Sequence, residues 1–335
     1  MASRPRAETR NLRHRCHRGR TGGGRREAGG GKKNRTEQRG RDAHIYDQAI
    51  RFIETNKDRP FYVNVWGHIS HHRVDPVQSL VDRWSGLEVR EADFPVAMRT
   101  KFAAFRAAGG DVNDAMRRYL ADVESLDDGV GLLLKRLDEL GLRDNTLVIF
   151  SSDQGADMSK ASLGGVRFNQ MGFNGPHRGG KHTNLEGGLR VPFILRWPGH
   201  VPAGLVDENS VLSGTDSLPT LCALTGTRID LAHFDGEDAS NAWLGKATHV
   251  RTKPLLWKAS SPGAQALIRV GKWKLFHPIR KNAGEFELYD IEADPGESQN
   301  LGEQEPEIMR TLVTRFESWV ATLPNEYLKT DDKQD

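Results

Sequence analysis

Thr146-Leu147-Val148-Ile149-Phe150-Ser151-Ser152-Asp153-Gln154-Gly155 opens a stretch that closes with Val191-Pro192-Phe193-Ile194-Leu195-Arg196-Trp197-Pro198-Gly199. Its two apolar runs, Thr146 to Phe150 and Val191 to Leu195, read as buried strands. Between them lies a glycine-rich polar loop carrying His177, Lys181, His182 and Glu186. Charged groups gathered at the end of an apolar strand point to a site there.

Upstream, Asn113 to Leu140 predicts one long helix, because Met116, Leu120, Val123, Leu126, Val130, Leu133, Leu137 and Leu140 recur every three or four residues. Asp127 and Asp128 fall within it as solvated or capping groups. Gly141 ends the helix and Arg143-Asp144-Asn145 turns into the Thr146 strand, the helix–turn–strand unit of a layered α/β domain. Further back, Asp47 to Ile53 has helical spacing. Phe61 to Trp66 reads as a strand running into Gly67-His68-Ile69-Ser70-His71-His72. Such clustered histidines can ligate a metal, donate to an anion or cap a loop. Residues 75–110 read as surface structure with short helices.

Downstream, Ser217 to Thr225 predicts a helix ended by Gly226. From about residue 251 the pattern becomes short strands at Pro254 to Trp257, Ala266 to Val270, Trp273 to His277 and Phe286 to Tyr289. Turns such as Gly271-Lys272 and Asn282-Ala283-Gly284 mark an antiparallel meander. An amphipathic helix over Glu305 to Leu323 closes the chain. The expected organisation is a basic tail over 1–43, an α/β domain over 44–250 and a small antiparallel-sheet-plus-helix domain over 251–335.

The net charge of +3 is unevenly distributed. Residues 1–42 hold 14 Lys and Arg against 4 Asp and Glu, a local +10, while the remaining 34 basic and 41 acidic residues sum to −7. The overall charge therefore gives no reason to expect nucleic-acid binding. With eight glycines and almost no large apolar residue, the tail is expected to be disordered. An RNA- or membrane-surface-binding arm and a start-site or reading-frame artefact are the alternatives. Two cysteines, Cys16 and Cys222, give no disulfide framework; Cys222 reads as a buried small hydrophobe. No apolar run is long enough to span a membrane and no secretory signal is visible.

Taken singly, the candidate residues are ambiguous. Asp153 and Gln154 offer a carboxylate beside an amide carbonyl, suited to a hard cation such as calcium or magnesium, but a turn-forming Asp is the commoner explanation of such a pair. Lys181 follows two glycines that let backbone approach a ligand, and its ammonium suits a phosphate or sulfate oxygen; a solvated lysine is the alternative.

Order and spacing are more specific. Ser151-Ser152-Asp153-Gln154-Gly155, then Gly180-Lys181-x-x-x-x-Glu186-Gly187-Gly188-x-Arg190-Val191-Pro192, then Arg196-Trp197-Pro198-Gly199 resembles the second half of a sulfatase. Arg59-Pro60-Phe61 with Ser70-His71, the Asp216-Ser217-Leu218-Pro219-Thr220 helix start, Arg269-x-Gly271-x-Trp273-Lys274, Glu287-Leu288-Tyr289-Asp290 and Asp294-Pro295-Gly296-Glu297 extend the likeness over nearly all of 44–325. The resemblance implies an alkaline-phosphatase-like α/β fold, a layered sheet with helices on both faces. It also implies hydrolysis of aryl or carbohydrate sulfates, with a calcium ion and a formylglycine made from cysteine. It assigns Asp153 and Gln154 as metal ligands and Lys181 and His71 as catalytic groups touching sulfate, either of which could also assist the leaving oxygen. The partner it implies is a sulfated small molecule or glycan, with neither nucleic acid nor membrane.

Two departures matter. Gln154 stands where the family commonly has Asn. The family's two adjacent Asp ligands and its Cys-x-Pro-Ser-Arg nucleophile belong to a section expected before residue 44, and they are absent from residues 1–43; Cys16-His17-Arg18-Gly19-Arg20 reads as coincidence. The chain is therefore expected to be N-terminally truncated, inactive alone, and to have an exposed sheet edge and apolar face. A non-catalytic relative that binds sulfated glycans is the alternative, as is a phosphodiesterase or phosphonate hydrolase of the same fold. The family is often exported, which leaves the compartment open.

Overall fold

A computed structural model describes residues 39–71, 74–158, 171–259, 265–278 and 285–324. Residues 1–38 of the basic tail with Cys16, the last of the run of histidines, His72, and the turn at Asn282 to Gly284 lie outside the described residues. The described residues belong to one compact unit.

The chain enters through α1 (Ala43–Asn56), α2 (Gln78–Arg83) and α3 (Val96–Ala107), all of which pack on α4 (Val112–Glu139). Asp111 caps α4 by accepting from the Asn113 and Asp114 amides at 2.8 and 3.1 Å, a cap that contributes about 1 kcal/mol. At the other end Gly141 takes φ +69°, and Leu142 donates to the Leu137 carbonyl. The helix therefore ends where the sequence predicts. Its apolar stripe meets α3 through Met98, Phe102, Phe105, Ala115 and Met116. It meets α2 through Leu80, Val81 and Ala121. Gly129 of α4 takes the Tyr46 ring of α1, which a Cβ would strike. Asp127 and Asp128 are exposed, as solvated groups should be.

After α4 the chain forms β1 (Val148–Ser151), runs through the polar loop to α5 (Glu186–Leu189), and returns as β2 (Phe193–Arg196). The two strands pair antiparallel, Val148 opposite Arg196 and Ser151 opposite Phe193. The expected strand at Phe61 to Trp66 requires correction. Its side chains alternate between half-buried and exposed as a strand's would, but no ladder forms along it among the described residues. Backbone amides without a partner strand give an extended segment and not a sheet. Tyr62 is 68% and Trp66 80% exposed, and Ile194 on β2 is 58% exposed.

α6 (Ser217–Thr225) begins at the fully buried Asp216, which accepts from the Ser213 and Glu237 amides and pairs with Arg251. Cys222 is buried in it, as expected. After α7 (Ser240–Trp243) comes a four-stranded antiparallel sheet in sequence order, β3 (Leu255–Ala259), β4 (Gln265–Val270), β5 (Trp273–Pro278) and β6 (Glu287–Asp290), followed by α8 (Pro306–Val320). Alternation along these strands sorts the side chains by face. Ala266, Ile268, Leu275 and Leu288 pack on Leu312 and Phe316 of α8. Leu267, Phe276 and Tyr289 pack on Leu185 and Leu189 of the polar loop. The meander is thus the floor on which that loop rests.

Candidate functional site

The loop between β1 and β2 folds back on itself through backbone bonds. Gly155 N donates to Gly188 O at 3.1 Å, Lys181 N to Ala156 O at 3.0 Å and Gly187 N to Arg178 O at 2.8 Å. The segment carrying Asp153 and Gln154 is thereby laid against the segment carrying Lys181. The glycines are there because the two backbones touch. A Cβ on Gly155 would run into the Gly187 carbonyl, one on Gly180 into the Ala156 carbonyl and one on Gly188 into the Thr183 carbonyl. His182, beside Lys181, adopts φ +69°, a conformation that L residues other than glycine adopt rarely.

Asn174, which the sequence reading missed, holds the same junction. Its Oδ1 accepts from Ala156 N at 2.6 Å, and its Nδ2 donates to the Ala156 and Gly179 carbonyls, both at 3.1 Å. Within Gly172-Phe173-Asn174-Gly175-Pro176 an Asn reads as turn-forming, so nothing local distinguishes it. Lys101 on α3 supports this segment from below, its ammonium donating to Gly172 O at 2.7 Å. Burial lowers its pKa to about 8, against the opposing pull of Asp157.

Asp153 is exposed and Gln154 half-buried, with the Gln154 amide nitrogen 3.4 Å from an Asp153 carboxylate oxygen. Lys181 is half-buried. His71 is exposed on a different loop, where its carbonyl accepts from Arg41 at 2.8 Å and its amide donates to His68 O. Backbone bonds therefore lay the segment that carries Asp153 and Gln154 along the one that carries Lys181, while His71 stands on a separate loop. A calcium ion takes six to eight oxygens. Asp153 and Gln154 offer one carboxylate and one amide, and among the described residues no group of three or more His, Cys, Asp or Glu side chains is placed to hold a metal ion. The residues present do not make a complete calcium site.

Under the loop lies a buried charge cluster. Lys274 Nζ, in a side chain 1% exposed, sits 3.0 Å from Glu186 Oε1 and 2.7 Å from Glu297 Oε1. Glu186 also takes Arg190 at 2.9 Å, and its own amide donates to Glu297 Oε2 at 2.8 Å. Burial works against the charge on Glu186. The charge of Lys274, with hydrogen bonds from Lys274 and Arg190, outweighs it and holds the carboxyl below the usual range. For Glu297 burial prevails and pushes the carboxyl up, against the pull of Lys274. Glu297 reaches this position from a turn built on Asp294, which accepts from the Ser298 and Gln299 amides. The Asp-Pro-Gly-Glu run and the Glu of the Lys181 motif thus meet at one lysine of β5.

The model of the Sulfatase family matches residues 11–227. That of N-sulphoglucosamine sulphohydrolase, C-terminal, matches residues 180–322. The N-acetylgalactosamine-6-O-sulfatase of Bacteroides thetaiotaomicron is 29% identical over 296 residues, covering 83% of this chain and 52% of that protein. Arylsulfatase A of Homo sapiens is 28% identical over 282 residues, covering 76% and 48%. The chain spans about half the length of these curated relatives. Among solved structures, Ps i-CgsB in complex with k-i-k-neocarrahexaose superposes with a TM-score of 0.66 at 24% identity, over 83% of this chain and 54% of that one. A structure holding its substrate D-glucosamine-2-N,6-O-disulfate gives 0.62 at 19% identity, over 88% and 71%.

Proposed function

The chain belongs to the sulfatase family and shares its alkaline-phosphatase-like α/β fold, and from that premise we propose that the loop from Asp153 to Gly188 is the anion-holding part of a sulfate-ester site. In this reading Lys181 and His71 touch the sulfate oxygens, and Asp153 and Gln154 supply part of a hard cation's shell. The observation that supports it is the backbone stitching between the two loop segments, which lays the residues that follow Asp153 and Gln154 along the segment that carries Lys181. A cationic donor held in place needs no reorganisation as charge grows on an anion, which is where such groups are most effective.

The same reading assigns binding, and no turnover, to residues 1–335 by themselves. They contain no Cys-x-Pro-Ser-Arg run, and Cys222 is buried in α6. A hydroxyl or aldehyde-hydrate nucleophile and further carboxylates would have to come from a complementary section, in cis or in trans. The ligand class is a sulfated aryl compound or sugar. The purified chain, assayed with an aryl sulfate in the presence of added calcium, is expected to release no product above the background rate. Sustained release abolished by Lys181→Ala would refute the assignment of binding alone.

A further inference from the structure

The turn that carries His71 does not owe its shape to a strand, since no ladder holds Phe61 to Trp66 among the described residues. Besides its own backbone bond from His71 N to His68 O, it is held by two adjacent side chains just ahead of α1. Arg41 Nη2 donates to the His68 carbonyl at 2.5 Å and to the His71 carbonyl at 2.8 Å. Asp42, 2% exposed, accepts from the His68 amide at 2.5 Å and the Ile69 amide at 2.9 Å, and lies 3.2 Å from His68 Nδ1. One residue takes the turn's carbonyls and its neighbour takes the turn's amides. We infer that Arg41 and Asp42 are positioning residues for His71, a charged clamp that sets the backbone from which its ring projects.

The surroundings are built for the clamp. Gly67 lets Asp42 approach, since a Cβ there would lie 3.0 Å from its carboxylate. Gly40, at φ +101°, brings the chain onto Ser125 of α4 where a side chain would collide. Behind Arg41 the fully buried Asp122 of α4 places Oδ2 3.6 Å from Nη2. Burial pushes Asp122 up to about 6, and Arg41 is the opposing positive charge that pulls it back. Arg41 therefore ties the turn to the central helix as well as to its own segment. Hydrogen bonds to charged groups are stronger than neutral ones, so the loss of either member should be felt in the turn.

The clamp stands on its own geometry; its consequence for sulfate rests on the function proposed above. Hydrogen exchange by NMR on the full chain tests the first. Asp42→Ala should speed exchange of the His68 and Ile69 amides by about tenfold or more, with β4 and β5 amides unchanged as the measure of an intact fold. Should Asp42→Ala not fold, Arg41→Gln serves the same purpose through the turn's exchange, and Arg41→Lys, which can still donate, should restore most of the protection. Unchanged turn exchange in a folded variant overturns the inference. The His71 ring signal titrated with inorganic sulfate tests the consequence. A wild-type response that shrinks in Arg41→Gln and returns in Arg41→Lys supports both. A wild-type ring that ignores sulfate while the turn loosens in Asp42→Ala removes the sulfate reading and leaves the clamp standing. A full-sized sulfate response in Arg41→Gln and Asp42→Ala overturns the clamp's control of His71.

Discussion

Gly155 and Gly131 show how differently the same residue type acts at two places. Gly131 faces open space on an exposed part of α4, whereas a side chain on Gly155 would meet the Gly187 carbonyl. Gly131→Ala should raise stability by about 0.5–1 kcal/mol, the ordinary gain of alanine in a helix. Gly155→Ala should lower it by about 1–3 kcal/mol, because backbone must move to admit the methyl. Urea titrations of the two variants at one pH compare them, and equal shifts in midpoint would contradict the close packing of the loop. At this scale a family pattern marks Asp153, Gln154, Lys181 and Glu186 in the sequence as candidates. The sequence was silent where a residue acts through distant partners. Asn174 sits in a run that reads as a turn, and Arg41 lies in a segment whose charge reads as tail. Asp42 and Ala43 are nonetheless buried, so ordered packing starts ahead of the boundary expected at 43.

Among elements, the join between β5 and the polar loop is the one most dependent on charge. Lys274 is the shared partner of two buried carboxylates. Lys274→Met should cost about 3–5 kcal/mol, since it leaves Glu297 without its cation and Glu186 with Arg190 alone. The two carboxylates differ in sign. Glu186, held below its unfolded pKa, contributes stability that is present above the ordinary carboxylate range and lost as pH falls through its folded value. Glu297, pushed above its unfolded pKa, contributes only while protonated, and that contribution is lost as pH rises through its folded value. At neutral pH Glu186→Gln should therefore destabilise more than Glu297→Gln, and thermal melts showing the reverse order would contradict the assignment. Periodicity predicted α4, α6, α8 and the meander to within a few residues, because each element's apolar pattern has a partner inside the chain. Phe61 to Trp66 has the pattern of a strand without a partner strand among the described residues, and pattern alone could not reveal that.

For the molecule as a whole, the site loop is better supported than the sheet it should crown. Its floor is the meander with α8 behind it, while β1 and β2 pair only with each other among the described residues and leave Ile149, Phe193 and Ile194 exposed. A two-stranded ribbon gains little stability by itself, so the loop's order comes from the charge cluster and the packing of Leu185 and Leu189. The role proposed for this supported loop is to hold an anion. Calorimetric titration of the full chain with a sulfated monosaccharide, beside Lys181→Ala and the unsulfated sugar, tests that claim most directly. The account predicts saturable binding that needs the sulfate and weakens at least about tenfold in Lys181→Ala, a loss of roughly 1.4 kcal/mol. Equal binding of the sulfated and unsulfated sugars, or an isotherm unchanged in Lys181→Ala, would contradict it.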